Sequence, residues 1–279
     1  MPPTVFDRAL IARHLERRAA DHDDFVTRLV LGDLDARLAT LTRTFERALI
    51  MAPDAGGLPA TGRTPQGTFA FERAATLRGD LDPEALILPR NDYDLIVSIL
   101  DLQVVNDVPG FLSRIRAHLV PDGLFLAAAI GGESLTELRQ AFLAAETELS
   151  GGAHARVAPF IPLNEIGGLL QRAGFALPVS DVETHVVRYA DALALMRELK
   201  ALGASNPLAE RPGRLATAGL LAAAAAHYAA IASDPDGRVR ATLEIVWMSG
   251  WAPHESQQQP LKPGSAKVSL ATVLGRNAS

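Results

Sequence analysis

A strand–helix–strand pattern across residues 90–130 constrains the fold more than any other feature. Residues 95–100 read LIVSIL, a run rich in β-branched residues that is too short for a helix and apolar on both faces, as in a covered parallel strand. Pro109 suits a first helical turn, and residues 124–130 form a second apolar run. Two parallel strands need a crossover helix between them, so the pattern predicts a βαβ unit in an α/β fold.

The composition is typical of one globular domain without thiol chemistry. Of 279 residues, 48% are hydrophobic and 21% are charged, which allows a sizeable core. We expect a single domain with N-terminal helices over 1–44, a core over 45–130, and a C-terminal half with a helical insertion and a tail over 131–279. The net charge of −5 disfavours a nucleic-acid-binding surface, and the absence of cysteine excludes disulfides and cysteine-ligated metals.

The most apolar stretch, residues 215–232, predicts a helix of a soluble protein. It reads LATAGLLAAAAAHYAAIA, and alanine favours helix but is too weakly apolar for a span, which needs about 20 strongly apolar residues. The start of the chain lacks an apolar signal region, and Asp7 with the acidic run 21–24 is unlike a transit peptide. The sequence therefore predicts a cytoplasmic protein without a membrane span.

Residues 93–132 carry the pattern of a known family. They read YDLIVSILDLQVVNDVPGFLSRIRAHLVPDGLFLAAAIGG, which resembles the segment between the fourth and fifth strands of class I S-adenosylmethionine-dependent methyltransferases. More narrowly, they resemble the mitochondrial complex I assembly factor 5 group, described as arginine hydroxylases, and its alphaproteobacterial relatives. Further matching segments are VFDR at 5–8, GGESLTELR at 131–139, GWAPH at 250–254 and KPGSAK at 262–267.

The resemblance implies a Rossmann-like methyltransferase fold for the whole chain. Its parts would be a seven-strand, mostly parallel sheet with helices on both faces, N-terminal helices, and a helical C-terminal elaboration. The strand order would reverse near the end of the first strand, at about residues 45–51. Open α/β sheets bind ligands at this reversal, outside the carboxyl ends of the strands. The implied cofactor is S-adenosylmethionine.

The turn after the first strand departs from the family's cofactor motif. That motif places an acid at the strand end and then glycines at alternate positions, so that the backbone approaches the ligand closely. Here Ile50 stands in place of the acid, and Pro53 removes a backbone donor. The positions that would contact the cofactor are Ala52, Asp54, Gly56 and Gly57. The motif is degenerate, which puts cofactor binding in doubt.

Two acids after this turn match cofactor positions of the family. Residues 58–67 have loop composition where the family has a helix, and 68–71 form a short second strand. Glu72 then stands where an acid pairs the ribose hydroxyls, although Arg73 beside it offers an alternative partner. Asp80 lies near the loop that would flank the adenine, or else in a solvated turn.

The loop after the fourth strand supplies two further cofactor candidates, Leu100 and Gln103. The family has a histidine at the position of Gln103, where adenosine and substrate meet. An amide does not titrate, so Gln103 cannot act as a general base. Asp107 in the same loop is predicted to cap the helix that begins near Pro109. The sequence identifies no catalytic residue.

The C-terminal tail predicts a protein-binding surface. Trp251 and His254 precede a turn-rich segment with Lys262 and Lys267, and exposed aromatic and cationic side chains are typical anchors of protein interfaces. The alternative for Trp251, and still more for Trp247, is that the indole fills the core. The histidines show no spacing typical of metal ligands, so no metal site is predicted. The resemblance implies that the partner is a complex I subunit.

Three functions compete. The first is an active methyltransferase with a divergent cofactor loop, and the second is an arginine-hydroxylase-like enzyme. The third is a pseudo-enzyme that keeps the scaffold and binds a partner, in complex I assembly if the resemblance extends to function. The sequence favours the third, because the departures fall in three cofactor-contacting segments while the sheet, the late helices and the tail are intact.

Overall fold

The computed structural model describes residues 4–18, 23–77, 79, 81–213 and 215–258. The helices are α1 Arg8–Glu16, α2 Phe25–Leu38, α3 Val108–Ala117, α4 Thr136–Ser150, α5 Leu163–Arg172, α6 Ala192–Ala201 and α7 Ala218–Ala232. The strands are β1 Ala48–Ala52, β2 Thr61–Thr64, β3 Gly67–Ala75, β4 Tyr93–Ile99, β5 Leu119–Ile130, β6 Ala176–Tyr189 and β7 Val239–Trp251.

The strands form a seven-stranded sheet in the order β2-β3-β1-β4-β5-β7-β6. Strands β3, β1, β4 and β5 are parallel, β7 runs antiparallel between β5 and β6, and β2 is antiparallel to β3. Five strands therefore run in one direction, which confirms the mostly parallel sheet. The chain goes to opposite sides of β1 for β3 and β4, so the predicted reversal lies at the end of β1.

The sheet is covered on both faces because its central strands are apolar on both sides. Leu49 and Met51 of β1 pack with α3 and α5 in one core cluster. Ile50 and Ala52 face the other way and pack with α2. Residues 95–99 of β4 and 124–129 of β5 are buried as well, which confirms the prediction of buried strands at 95–100 and 124–130.

A β-hairpin replaces the first crossover helix. Residues 58–67 were expected to be a loop, but β2 folds back on β3 and places β3 beside β1. Gly62 makes this possible, because a Cβ there would lie 2.4 Å from the ring of Phe69. Phe69 in turn packs edge-on against Phe45 and Phe71. The hairpin lengthens β3 to Gly67–Ala75, beyond the predicted 68–71.

Two predictions from local sequence patterns need correction. Residues 121–123 read PDG, which predicts a turn, but they lie inside β5, where Asp122 has φ 61° and the register against β4 shifts. Residues 240–247 alternate β-forming residues, which predicts a late edge or hairpin strand, but they lie in β7, an inner strand between β5 and β6. In both cases the pairing of strands overrides the local pattern. Among the described residues, no helix is long and apolar enough to cross a bilayer.

Candidate functional site

A cavity of about 920 Å³ opens at the carboxyl ends of the parallel strands. Its floor is formed by Ala52 of β1, Ile99 of β4 and Ile130 of β5. The volume lies near the upper end of the range for small-molecule sites, about 300–1,000 Å³. The space beyond Ala52 is therefore an open slot at the switch point of the sheet.

The turn after β1 lines this cavity, and its acid is held by an arginine. Ala52, Asp54, Gly56 and Gly57 all contribute to the wall. Asp54 Oδ1 accepts a hydrogen bond from the Gly56 N–H at 2.9 Å, and Oδ2 lies 3.2 Å from Arg18 Nη2. The Asp54 carboxylate thus stabilises the turn through the Gly56 N–H and also forms an ion pair with Arg18.

Arg18 joins the cofactor turn to the start of α2. Its Nη1 donates to Asp24 Oδ2 at 3.2 Å, while Asp24 Oδ1 caps the helix by accepting from the Thr27 N–H at 3.0 Å. Asp24 and Asp54 are the acidic side chains among the described lining residues, and the same guanidinium contacts both. Arg18 therefore compensates one of the two negative charges of Asp24 and Asp54.

Leu100 and Gln103 also line the cavity, as predicted from the position of the loop. Leu100 has φ 57°, a left-handed conformation that is strained for a branched residue, and its N–H donates to Ala128 O at 2.8 Å. Gln103 Nε2 donates to Leu100 O at 2.6 Å, and its buried Oε1 has no partner in the described part of the chain. This strained turn presents an amide, and no titratable group, to the cavity.

The structure places Glu72 away from the cavity. Because the hairpin lengthens β3, Glu72 lies in mid-strand opposite Leu49, three residues before the strand end at Ala75. Its carboxylate accepts a hydrogen bond from the Tyr93 hydroxyl at 2.6 Å and lies 3.9 Å from Arg90 Nη1. The other predicted acid, Asp80, falls outside the described residues.

A buried acid that sequence reasoning missed lies beneath the cavity floor. Asp101 is 1% exposed, just beyond β4, where Thr76 Oγ1 and Ser98 Oγ contact its two carboxylate oxygens. Burial raises the pKa of Asp101 from its ordinary 3.8 to about 7. Thr76 Oγ1 also lies 3.3 Å from Ala52 O, so the carboxyl group connects the ends of β1, β3 and β4. The only sequence signal was an acid directly after an apolar strand.

The N-terminal VFDR segment is fastened over the same loops. Arg8 Nη2 donates to Thr76 O at 3.0 Å, and Asn106 Oδ1 accepts from the backbone N–H of Phe6 at 2.8 Å. Asp7 caps α1 and pairs with Arg211 at 3.0 Å. These contacts position Ile11 and Leu15 of α1 in the cavity wall. Asp107 caps α3 through the Gly110 N–H at 2.9 Å, as predicted.

The tail candidates Trp251 and His254 lie away from the cavity, toward the opposite ends of the parallel strands. Trp251 ends β7 and pairs with Leu124, six residues before β5 ends at Ile130, and the Arg43 guanidinium lies 5.4 Å from its ring. His254 is exposed and contacts Ser256 Oγ at 2.7 Å. Lys262 and Lys267 fall outside the described residues.

Trp247 is buried, which confirms the alternative that its indole fills the core. Its Nε1 donates to Asp33 Oδ2 at 2.8 Å, which satisfies the one donor of the ring, and the Arg37 guanidinium lies 4.6 Å from the ring centroid. Trp251 is half-buried, so its burial does not decide between an anchor for a protein partner and an indole that fills the core. In the described part of the chain, no group of three His, Asp or Glu side chains is placed to hold a metal.

Comparisons with known proteins confirm the resemblance. The chain is 41% identical over 192 residues to "Arginine-hydroxylase NDUFAF5, mitochondrial" of Danio rerio, over 69% of this chain and 60% of that protein. It is 34% identical over 276 residues to a malonyl-acyl carrier protein O-methyltransferase of Laribacter hongkongensis, over 93% of this chain and 89% of that enzyme. The chain thus spans less than two thirds of the first relative and most of the second.

The YcgJ protein of Bacillus subtilis is similar in structure, with a TM-score of 0.49 and 11% identity, over 81% of this chain and 99% of that one. No family model matches the chain.

Proposed function

The chain belongs to the class I S-adenosylmethionine-dependent methyltransferase family, and from that premise we propose that it is a non-catalytic member that binds a protein partner. The resemblance of residues 93–132 to the complex I assembly factor 5 group supports a complex I subunit as that partner. The observation that carries the proposal is the cofactor end of the cavity. This end of the cavity has room for a ligand, but its described lining lacks the side chains that would recognise the cofactor.

The residues at this end do not fit S-adenosylmethionine well. Ile50, at the position of the family's acid, is fully buried against α2 and cannot reach a ligand. Glu72, the candidate for the ribose, bonds to Tyr93 outside the cavity. A ribose diol and an ammonium group each need an acceptor of matched geometry. The carboxylates that do line the cavity are already engaged by Arg18.

The described lining residues also lack a poised general base. They include no histidine, and Asp24 and Asp54 are ion-paired. Burial raises the pKa of Tyr189 well above its ordinary value, so its phenol stays protonated at neutral pH. Gln103 does not titrate. The geometry therefore supports binding better than proton-transfer chemistry.

An active methyltransferase is the second candidate, and one observation favours it. The cavity lies open at the switch point, and Gly56 and Gly57 of the cofactor turn line it. A divergent loop that moves when the cofactor binds would reconcile these features with activity.

Isothermal titration of the purified chain with S-adenosylmethionine and S-adenosylhomocysteine separates the two candidates. The proposal predicts no saturable binding of either ligand at or below about 10 μM, a free energy of about −7 kcal/mol. Binding at this level would contradict the non-catalytic function and support the active methyltransferase. Ala52→Asp provides the control in that case, because a carboxylate added to the floor should remove any such signal.

A further inference from the structure

The cavity continues from the cofactor turn into a second compartment, which we call the helical chamber. It lies between α4, α6, α7 and the strands β6 and β7, and residues 134–243 of the cavity wall form it. Its walls are mainly apolar side chains, among them Leu138, Phe142, Val187, Leu195, Met196 and Leu221. The apolar chamber is contributed by the C-terminal elaboration, outside the cofactor half of the fold.

The polar side chains in this wall are largely engaged within the protein. Thr242 Oγ1 donates to Glu137 Oε1 at 2.6 Å, and Ser134 Oγ donates to Glu244 O at 3.1 Å. Asn206 Nδ2 donates to Ala155 O at 3.0 Å, and its Oδ1 accepts from the Leu208 N–H at 3.0 Å. The chamber thus offers few hydrogen-bonding groups to a polar ligand. A peptide that entered it would lose the hydrogen bonds that its backbone makes with water.

The charged side chains that line the helical chamber are cationic, although acids lie behind them. Its described lining residues contain no Asp or Glu, and the cations among them are Arg156 and Lys200. Arg156 is neutralised by the buried Glu146, whose Oε1 lies 2.6 Å from its Nη2. Lys200 is exposed on the last turn of α6 and forms no ion pair within the described ranges. An apolar chamber with one ammonium at its rim complements an amphiphile with an anionic head.

We infer that the helical chamber binds the aliphatic chain of an acyl group, with the carboxyl end of the ligand near Lys200. This inference goes beyond the proposed function, because it assigns a ligand to a cavity that binding of a protein partner leaves without one. The chain would be stabilised by transfer out of water, at about 0.8 kcal/mol for each buried methylene. Met196 is suited to such a ligand, because its flexible thioether adapts to chains of different length.

The first test is a series of titrations of the full chain with octanoate, decanoate and dodecanoate below their micelle concentrations. Each buried methylene should increase the affinity about fourfold, which corresponds to about 0.8 kcal/mol. Equal affinity across the series would overturn the inference, and so would the absence of binding. Titration with dodecanoyl-CoA distinguishes two kinds of ligand. Tighter binding than that of dodecanoate would identify the ligand as an acyl group bound to a carrier, and weaker binding would identify it as a free fatty acid.

The second test places the ligand in the chamber. Met196→Trp, which fills the chamber, should reduce the affinity for dodecanoate at least tenfold, whereas unchanged affinity would contradict the site. The circular dichroism spectrum checks that the variant folds. If it does not fold, Leu221→Trp on the α7 wall replaces it under the same criterion.

The third test concerns the head group. Lys200→Ala should weaken dodecanoate two- to fivefold, as expected for an exposed ion pair, and leave dodecanol unchanged. Arg197→Ala is the matched control, because it removes the same charge from the same helix, while its side chain is 71% exposed and does not line the cavity. Equal effects of the two substitutions would refute the role of Lys200.

Titration of S-adenosylmethionine on the same samples keeps the two proposals apart. Dodecanoate binding together with tight cofactor binding would refute only the non-catalytic function. Failure of both ligands to bind would refute only the acyl site.

Discussion

Replacement of Asp101 by asparagine should remove a pH dependence of folding that is built into the cavity floor. Burial of Asp101 favours a neutral carboxyl group and raises its pKa, whereas the hydrogen bonds from Thr76 and Ser98 favour the charged form and offset part of this shift. Thr76 Oγ1 has one proton and faces two acceptors, Ala52 O and Asp101 Oδ1. When Asp101 is protonated, its O–H donates a hydrogen bond to Thr76 Oγ1, and the hydroxyl of Thr76 is free to donate to Ala52 O. Ser98 Oγ donates to Oδ2 in either state.

The raised pKa gives the sign and size of the effect. Below pH 3.8 the carboxyl group is protonated in the folded and the unfolded chain, so its contribution does not change. Between 3.8 and about 7 only the folded chain holds the proton, and stability falls as pH rises. At about 1.4 kcal/mol per pH unit, the interval amounts to about 4 kcal/mol, which is an upper bound because relaxation of the site would reduce it. Above about pH 7 the loss is complete.

Asp101→Asn keeps the shape and the hydrogen bonds but does not titrate, because its amide donates to Thr76 and its carbonyl accepts from Ser98. Urea unfolding measured from pH 4.5 to 8 should show that the wild type loses stability relative to this variant by a few kcal/mol. Asp35→Asn is the control, since Asp35 is exposed on α2 and its removal should leave the pH profile unchanged. Parallel profiles for wild type and Asp101→Asn would refute the reasoning.

Two further predictions concern the hairpin and the tail. Gly62→Ala should destabilise the fold by about 1–3 kcal/mol in thermal melts, because the added methyl overlaps the Phe69 ring, and an unchanged melting temperature would show that the hairpin adjusts freely. Trp251→Ala with Lys262→Ala should abolish recovery of a complex I subunit in a pull-down below the melting temperature, whereas Ala52→Asp should not. If only the Ala52→Asp variant loses the partner, the tail is not the binding surface.

Local patterns predicted most of the fold. The run 95–100, the helix after Pro109 and the cap at Asp107 depend on neighbours within a few residues, and the structure agrees with each. The hairpin could not be predicted in this way, because it depends on contact of Gly62 with Phe69 across the turn. That one tertiary feature also displaced Glu72 from the strand end to mid-strand.

Sequence order accounts for six of the candidate residues that meet at the cavity, whereas features that depend on burial were missed; cofactor binding by these residues stays a prediction. Ala52, Asp54, Gly56, Gly57, Leu100 and Gln103 meet at the cavity because the ends of parallel strands share one edge of the sheet. Asp101 was missed, since its pKa arises from packing of Thr76 and Ser98 around it. The helical chamber was missed as well, because its apolar residues are typical of any core-facing helix.

The sheet separates the turn after β1 from Trp251, so the two surfaces can vary independently. In the β5–β7 register, Ile130 at the cavity pairs with Ile245, and Leu124 pairs with Trp251. The six residue steps from Leu124 to Ile130, at about 3.3 Å each, hold the two surfaces about 20 Å apart. Substitutions at that distance without shared partners have additive effects. If the proposed function is right, substitutions at the turn after β1 therefore leave the free energy of partner binding at Trp251 unchanged, and selection on the partner contact retains the scaffold without the cofactor motif.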